Sequence, residues 1–226
     1  MNTLKKKIVI VGNGSLAKTL GYFVMQDGKY DLIGFAIEKK YIKEKKLLNK
    51  KIFTFQQLNK LKINNNFEII NGIGYQQNCL IRKKIQEKLG KEFKFHKYIH
   101  SKSYVSKFCK ISPGAIIMPN ASLETNSVIG LGAVIWSNVV VGHGSKIGDF
   151  CWLSAGCVVG GNTIVKKNSF VGINASITNK ITIGENNIIG INTSIQKSTS
   201  KNGVFITKQG ERIKIKSDLY SKLFLN

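Results

Sequence analysis

The chain has 226 residues, 42% hydrophobic and 21% charged, with a formal charge of +23, enough for one large or two modest domains with a core of ordinary size. The charge is carried mostly by lysines scattered through the first hundred residues and the tail, without an Arg-rich or aromatic-interleaved cluster. That distribution argues against a dedicated nucleic-acid binder and favours anionic small ligands such as phosphates. No apolar run approaches the roughly 18 residues of a membrane span, and Ile8 to Val11 after Lys5-Lys6-Lys7 is too short for a signal-peptide core, so a cytoplasmic protein is expected.

Ile8-Val9-Ile10-Val11 is a continuous apolar run ending in Gly12-Asn13-Gly14, followed by helical spacing through Leu20, Phe23 and Val24. This reads as strand, glycine turn and helix, and the free amides of such a turn suit a phosphate; a plain tight turn is the alternative. Asp31 to Ile37 reads as a second strand, Phe55 to Leu61 as a short helix, Phe67 to Ile73 as a third strand and Cys79 to Leu89 as a Lys-rich helix. The alternation predicts a small, parallel, Rossmann-like α/β domain over residues 1–95. Glu38 follows the second strand where a ribose-binding acid would sit, among lysines. A full dinucleotide domain does not fit before residue 95, so a mononucleotide is the largest ligand expected.

From Ile99 to Ile195 every sixth residue is aliphatic. A period of six matches neither a helix nor a plain strand and calls for a repeat of one short strand plus one corner, a parallel β-solenoid. With the aliphatic residue as slot one, slot five is mostly small (Ala115, Ala121, Ser127, Ala133, Ser145, Ala175) and points inward beside it. Slot two is often glycine (Gly130, Gly142, Gly148, Gly160, Gly172, Gly184, Gly190), which fits a corner with an unusual backbone angle. Three hexads make one triangular coil, so residues 18 apart stack about 4.8 Å apart. The solenoid is expected over 96–200, with a C-terminal cap over 201–226. Cys109, Cys151 and Cys157 fall in slot five and read as core filler in a reducing compartment; Cys79 has no partner at metal spacing, so no metal is expected.

His143 is the one histidine inside the regular repeat, in slot three of its hexad and so on a corner. Gly161 stands 18 residues later, directly above it, where a ligand can approach an open backbone N–H. One residue before the aliphatic slot, steps of 18 give Ile116, Val134, Trp152, Phe170 and Ile188, an apolar outer face over the whole height. Such a stripe predicts a partner surface, and three-fold closure of identical prisms makes it the interface of a homotrimer. His143 would then lie in the groove between subunits.

With these features in hand, the run from Ile99 to Gly203 resembles the hexapeptide-repeat acyltransferases, which fold as a left-handed parallel β-helix. Together with Gly12-Asn13-Gly14 and Gly72-Ile73-Gly74 followed by Ile81-Arg82-Lys83-Lys84-Ile85, the whole chain is similar to bacterial sugar acetyltransferases. These include the sialic acid O-acetyltransferase group and the N-acetyltransferases of nucleotide-linked amino sugars that serve surface glycans. The resemblance implies a trimer with acetyl-CoA between adjacent solenoids, His143 as general base and the Gly161 amide at the thioester carbonyl. It places the cofactor contacts at Gly161, Trp152, Gly172, Ile173 and Gly190 and the nucleotide sugar at Gly12, Asn13, Gly14, Glu38 and Arg82. Relatives often carry an acidic residue beside the histidine, whereas here Gly142 and Gly144 flank it, leaving a backbone carbonyl, Asn138 or the adjacent subunit to orient the ring. Trp152 stands where relatives can carry another histidine, and the usual Pro-Ala near the end is replaced in Ile206-Thr207-Lys208-Gln209-Gly210.

The chemistry suits direct transfer in a ternary complex, with imidazole taking the proton and no acylated side chain. N-acetylation leads over O-acetylation because an amine is the better nucleophile and tolerates a weakly oriented base. A γ-type carbonic anhydrase would need three histidines where the repeat offers one. A non-catalytic solenoid scaffold explains the hexads but leaves His143 below Gly161 as coincidence.

Overall fold

The computed structural model describes residues 5–64, 66–210 and 214–217. A five-stranded sheet comes first, built from β1 (Lys6–Val11), β2 (Tyr30–Ile37), β3 (Lys46–Leu47), β4 (Lys50–Thr54) and β5 (Phe67–Asn71) in the order β3-β4-β2-β1-β5. Helices α1 (Ser15–Asp27), α2 (Phe55–Asn64) and α3 (Leu80–Leu89) connect or follow the strands. β1 pairs in parallel with β2 and β5, and β2 with β4, but β3 runs antiparallel to β4, so the sheet is mixed rather than all parallel. The β3–β4 hairpin turns on Leu48 and Asn49, both at positive φ (48° and 59°), the backbone of a two-residue primed turn. Without the Asn-Gly or Asp-Gly pair that usually announces such a turn, these two strands have no sequence signal.

Next comes a left-handed parallel β-helix of 18 two-residue strands from Tyr98–Ile99 to Val204–Phe205, stacked in sheets of seven, six and five strands. The seven-strand face carries Ile116, Val134, Trp152 and Phe170, the six-strand face Val140 and Val158, and the five-strand face Lys146 and Ile164. The partners stand 18 apart, as Val134↔Trp152 does. Inside the prism, slot-one aliphatics alternate with slot-five residues such as Ala115, Ala133, Cys151, Cys157 and Ala175 in one buried core. All four cysteines are free, and burial pushes the Cys151 and Cys157 thiols up to about 12. After Ile195 the hexad breaks; Ile188 pairs with Val204, a step of 16, so one further strand lies past residue 200.

The glycines of slot two have a different cause from the one expected. The positive-φ corner residues are in slot four, where Asn120, Asn126, Asn138, Asn162, Asn168 and Asn174 alternate with Gly114, Gly132, Gly144 and Gly156. Asparagine tolerates this left-handed conformation better than other side chains. Slot two is instead crowded by the coil above: a Cβ on Gly142 would lie 2.6 Å from the Gly161 nitrogen.

Three of the five residues of the apolar stripe are not free to form a subunit interface, while Phe170 and Ile188 stay partly exposed. Ile116, Val134 and Trp152 are at most 3% exposed because the chain's own N-terminal domain covers them, in one core with Ile8, Leu16, Leu20 and Phe35. Phe150 occupies a slot-four corner at φ +54°, a conformation costing a non-glycine residue about 1–2 kcal/mol. Its buried ring joins the same junction, which offsets that cost. Among the described residues no helix is long and apolar enough to cross a membrane.

Candidate functional site

The three histidines differ in availability. His96 is tied between Glu68 and the Tyr30 hydroxyl, and His100 is buried; burial lowers the pKa of both. His143 stands at the corner between the six-strand and five-strand faces with its side chain 65% exposed. Its ring lies against Gly161, where an added Cβ would come 2.5 Å from Cε1 and 2.7 Å from Nε2. Glycine is therefore the residue that lets the imidazole rest on the backbone of the next coil. Among the described residues the Gly161 amide meets no acceptor, while the Gly161 carbonyl accepts from Lys180.

The ring is oriented by Glu124, which the sequence reading missed. Glu124 Oε2 accepts the His143 main-chain N–H at 2.8 Å and lies 3.4 Å from Nδ1. A carboxylate only accepts, so this contact favours the neutral-ring tautomer with its hydrogen on Nδ1, in which Nε2, on the Gly161 side, is the acceptor. A signal did exist: Glu124 lies 18 residues before Gly142, so an acid does flank the histidine, but one coil down rather than next in sequence. It is also the one carboxylate in slot two from Ile99 to Ile195.

Gly172, Ile173 and Gly190 lie together at the corner between the seven-strand and six-strand faces, with a Cβ on Gly172 only 2.6 Å from the Gly190 carbonyl carbon and Ile173 half exposed. They and Gly161 thus flank the same six-strand face, which carries Val158 and Ser176 between them. Trp152 is not with them. It is buried under the N-terminal domain, packed against Trp136 and Tyr75, and has no surface to offer a cofactor.

In the N-terminal domain, Gly12, Glu38 and Gly72 follow the carboxyl ends of β1, β2 and β5, which are neighbours in the order β2-β1-β5. The connections leave β1 in opposite directions, so β1/β5 is the switch point where an open α/β sheet leaves a ligand crevice. Gly12, at φ +111°, lies against the second glycine loop, with 3.1 Å between its Cβ position and the Gly72 carbonyl oxygen. Asn13 and Gly14 are exposed, and no side chain caps the first turn of α1, which leaves its first amides without a side-chain partner. Glu38 is held by Lys88 at 3.0 Å and Lys40 at 3.5 Å; the Lys88 hydrogen bond lowers its pKa more than any other influence.

Arg82 cannot touch a substrate. Its guanidinium is fully buried and donates to the carbonyls of Asn71, Ile73, Gly114 and Gly132, bracing the second glycine loop against two corners of the solenoid. Burial pushes its pKa down to about 10, so it remains charged at neutral pH. The loop it braces contains Gln77, Asn78 and Cys79, three consecutive non-glycine residues at φ 52°, 49° and 63°. Gln77 and Cys79 each cost about 1–2 kcal/mol and Asn78 less, and such strain persists only where the surroundings over-determine it.

One chain does not bring the Gly12–Gly14 loop and His143 together. The crevice belongs to the domain on the seven-strand face, and His143 occupies the opposite corner of the prism.

No protein-family model matches the chain, and no curated protein sequence matches it. Solved structures do share its fold. The acetyltransferase domain of PglB from Neisseria gonorrhoeae is 22% identical, over 86% of this chain and 93% of that one, with a TM-score of 0.74. WeeI from Acinetobacter baumannii is 14% identical over 88% of this chain and 96% of its own, at 0.60. A variant of perosamine N-acetyltransferase from Caulobacter crescentus, in complex with CoA and GDP-perosamine, is 18% identical over 88% and 92%, at 0.53. The shared fold is the small α/β domain followed by the left-handed β-helix.

Proposed function

We propose that this protein is an acetyl-CoA-dependent acetyltransferase that N-acetylates a nucleotide-linked amino-deoxy sugar destined for a surface glycan. The observation that carries the reading is the His143 imidazole, seated on Gly161 and oriented by Glu124, beside an amide that meets no acceptor among the described residues. The similar perosamine N-acetyltransferase variant, in complex with CoA and GDP-perosamine, supports the substrate classes.

In this reading Nε2 of His143 takes the proton from the acceptor amine as the new N–C bond forms and the C–S bond to CoA breaks. The Gly161 N–H donates to the carbonyl oxygen as charge builds on it; one such donor is worth about 3 kcal/mol of barrier. Acetyl-CoA runs along the six-strand face from Gly161 toward Gly172, Ile173 and Gly190. Gly12, Asn13 and Gly14 hold the phosphates and Glu38 the ribose. Because the crevice and His143 lie on opposite sides of one prism, a nucleotide sugar held by one copy meets His143 of another. A trimer closes that arrangement through the solenoid faces left open by the N-terminal domain.

The test is thiol release from acetyl-CoA with UDP-, dTDP- and GDP-linked amino sugars, comparing wild type with His143→Ala. Turnover with one amino sugar, falling about 10³-fold in the variant, is expected for a lost general base. Unchanged turnover in the variant removes His143 as the base. Turnover with hydroxyl acceptors alone reassigns the reaction to O-acetylation.

A further inference from the structure

Tyr75 is a large aromatic that the reading above leaves without a task. It follows the second glycine loop directly, and its ring packs at 5.2 Å against both Trp152 and Phe170, yet 52% of the residue stays exposed. The chain around it is fixed from several sides. Asn71 Oδ1 accepts the Ile73 N–H, Arg82 donates to the Asn71 and Ile73 carbonyls, and Cys79 N–H donates to the Tyr75 carbonyl. The three left-handed residues Gln77, Asn78 and Cys79 then lead into α3. Covering Trp152 alone would need only an apolar side chain on a relaxed loop. A strained, over-determined loop that presents one half-open aromatic is the arrangement of a preorganised contact.

Strand order says what would meet it. The loops after β2, β1 and β5 lie in a row about 4.8 Å apart and carry Glu38, then Gly12–Gly14, then Gly72–Tyr75. A ligand with its ribose at Glu38 and its phosphates on the first glycine loop extends its remaining group toward β5. In a nucleotide-linked sugar that group is the sugar. A tyrosine ring offers an apolar face to the C–H side of a pyranose and a hydroxyl to its polar rim.

We propose that Tyr75 is a specificity-determining residue whose ring packs on the acceptor sugar and directs its amine away from the N-terminal domain, toward His143 of a neighbouring copy. This rests on the function proposed above. The test uses Tyr75→Ala and Tyr75→Phe with whichever nucleotide amino sugar supports wild-type turnover, and with the corresponding bare nucleoside diphosphate. Tyr75→Ala should raise KM for the amino sugar about five- to tenfold. Its KM for acetyl-CoA and its affinity for the bare diphosphate should stay at wild-type values, and Tyr75→Phe, which keeps the packing on Trp152 and Phe170, should restore most of the loss. An unchanged KM in Tyr75→Ala overturns the role of Tyr75 alone. A parallel loss of diphosphate affinity in Tyr75→Ala also overturns it, by making the residue structural. Failure of the wild type to turn over any nucleotide amino sugar overturns the parent reading.

Discussion

The seven-strand face and the corner opposite it are made by the same hexad on the same backbone, and they do opposite things. On the face, Ile116, Val134 and Trp152 disappear under α1 and the first sheet. At the corner, Gly142, Gly144, Gly160 and Gly161 strip the surface back until one imidazole lies on bare main chain. The repeat decides where the backbone goes; the residues in slots two, three and six decide whether a given side is a foundation or a working surface. A foundation and an open corner on opposite sides of one prism also keep the Gly12–Gly14 loop apart from His143 within a chain.

The largest effect comes from exploiting that separation. Gly14 has an ordinary φ of −78° and open space around its Cβ position, so Gly14→Leu should fold while blocking the crevice. His143→Ala leaves the crevice intact. Each variant alone should lose about 10³-fold in turnover, and co-expressed copies should regain activity far above either parent. Mixed assemblies that stay as inactive as the parents would put both halves of the site in one chain and end the proposed division between copies.

A smaller effect probes the foundation. Arg82→Met keeps the side-chain volume but leaves buried carbonyls of Asn71, Ile73, Gly114 and Gly132 without a donor. The expected cost is about 3 kcal/mol, the scale for breaking a buried charged hydrogen-bond set. Denaturant unfolding should register it as an earlier transition of the N-terminal domain, with the solenoid transition in place. A wild-type unfolding curve would show that the apolar junction alone holds the domain.

What was legible in the sequence follows the same division. The solenoid could be read almost residue by residue, because stacking at intervals of 18 turns a linear pattern into neighbours: Gly161 above His143 follows from arithmetic. The covering of the apolar stripe could not, since nothing local distinguishes a face buried by another copy from one buried by the chain's own first domain. Arg82 illustrates a related limit. A basic residue on a Lys-rich helix reads as a ligand contact, and only tertiary packing reveals four carbonyls waiting for it. The β3–β4 hairpin was hidden because Leu48 and Asn49 adopt a turn that their types do not advertise. The reason for glycine in slot two was misread because close approach between coils and a left-handed corner select the same residue.

The smallest predicted effect concerns Glu124, and its size follows from its setting. The carboxylate and the imidazole it faces are 43% and 65% exposed, and Nδ1 lies 3.4 Å from Oε2. An exposed pair of this kind is worth about 0.2–1 kcal/mol, so Glu124→Gln should lower kcat by at most about fivefold. The amide oxygen of glutamine can still accept from the His143 main-chain N–H, so the corner keeps its shape and KM for both substrates should hold. Glu124→Ala removes that acceptor as well and should lower kcat further. A loss near 10³-fold in Glu124→Gln would mean that a neighbouring copy buries the pair, since only desolvation raises such a contact to that value. The same measurement therefore reports whether the His143 corner is open to solvent or covered by a neighbouring copy.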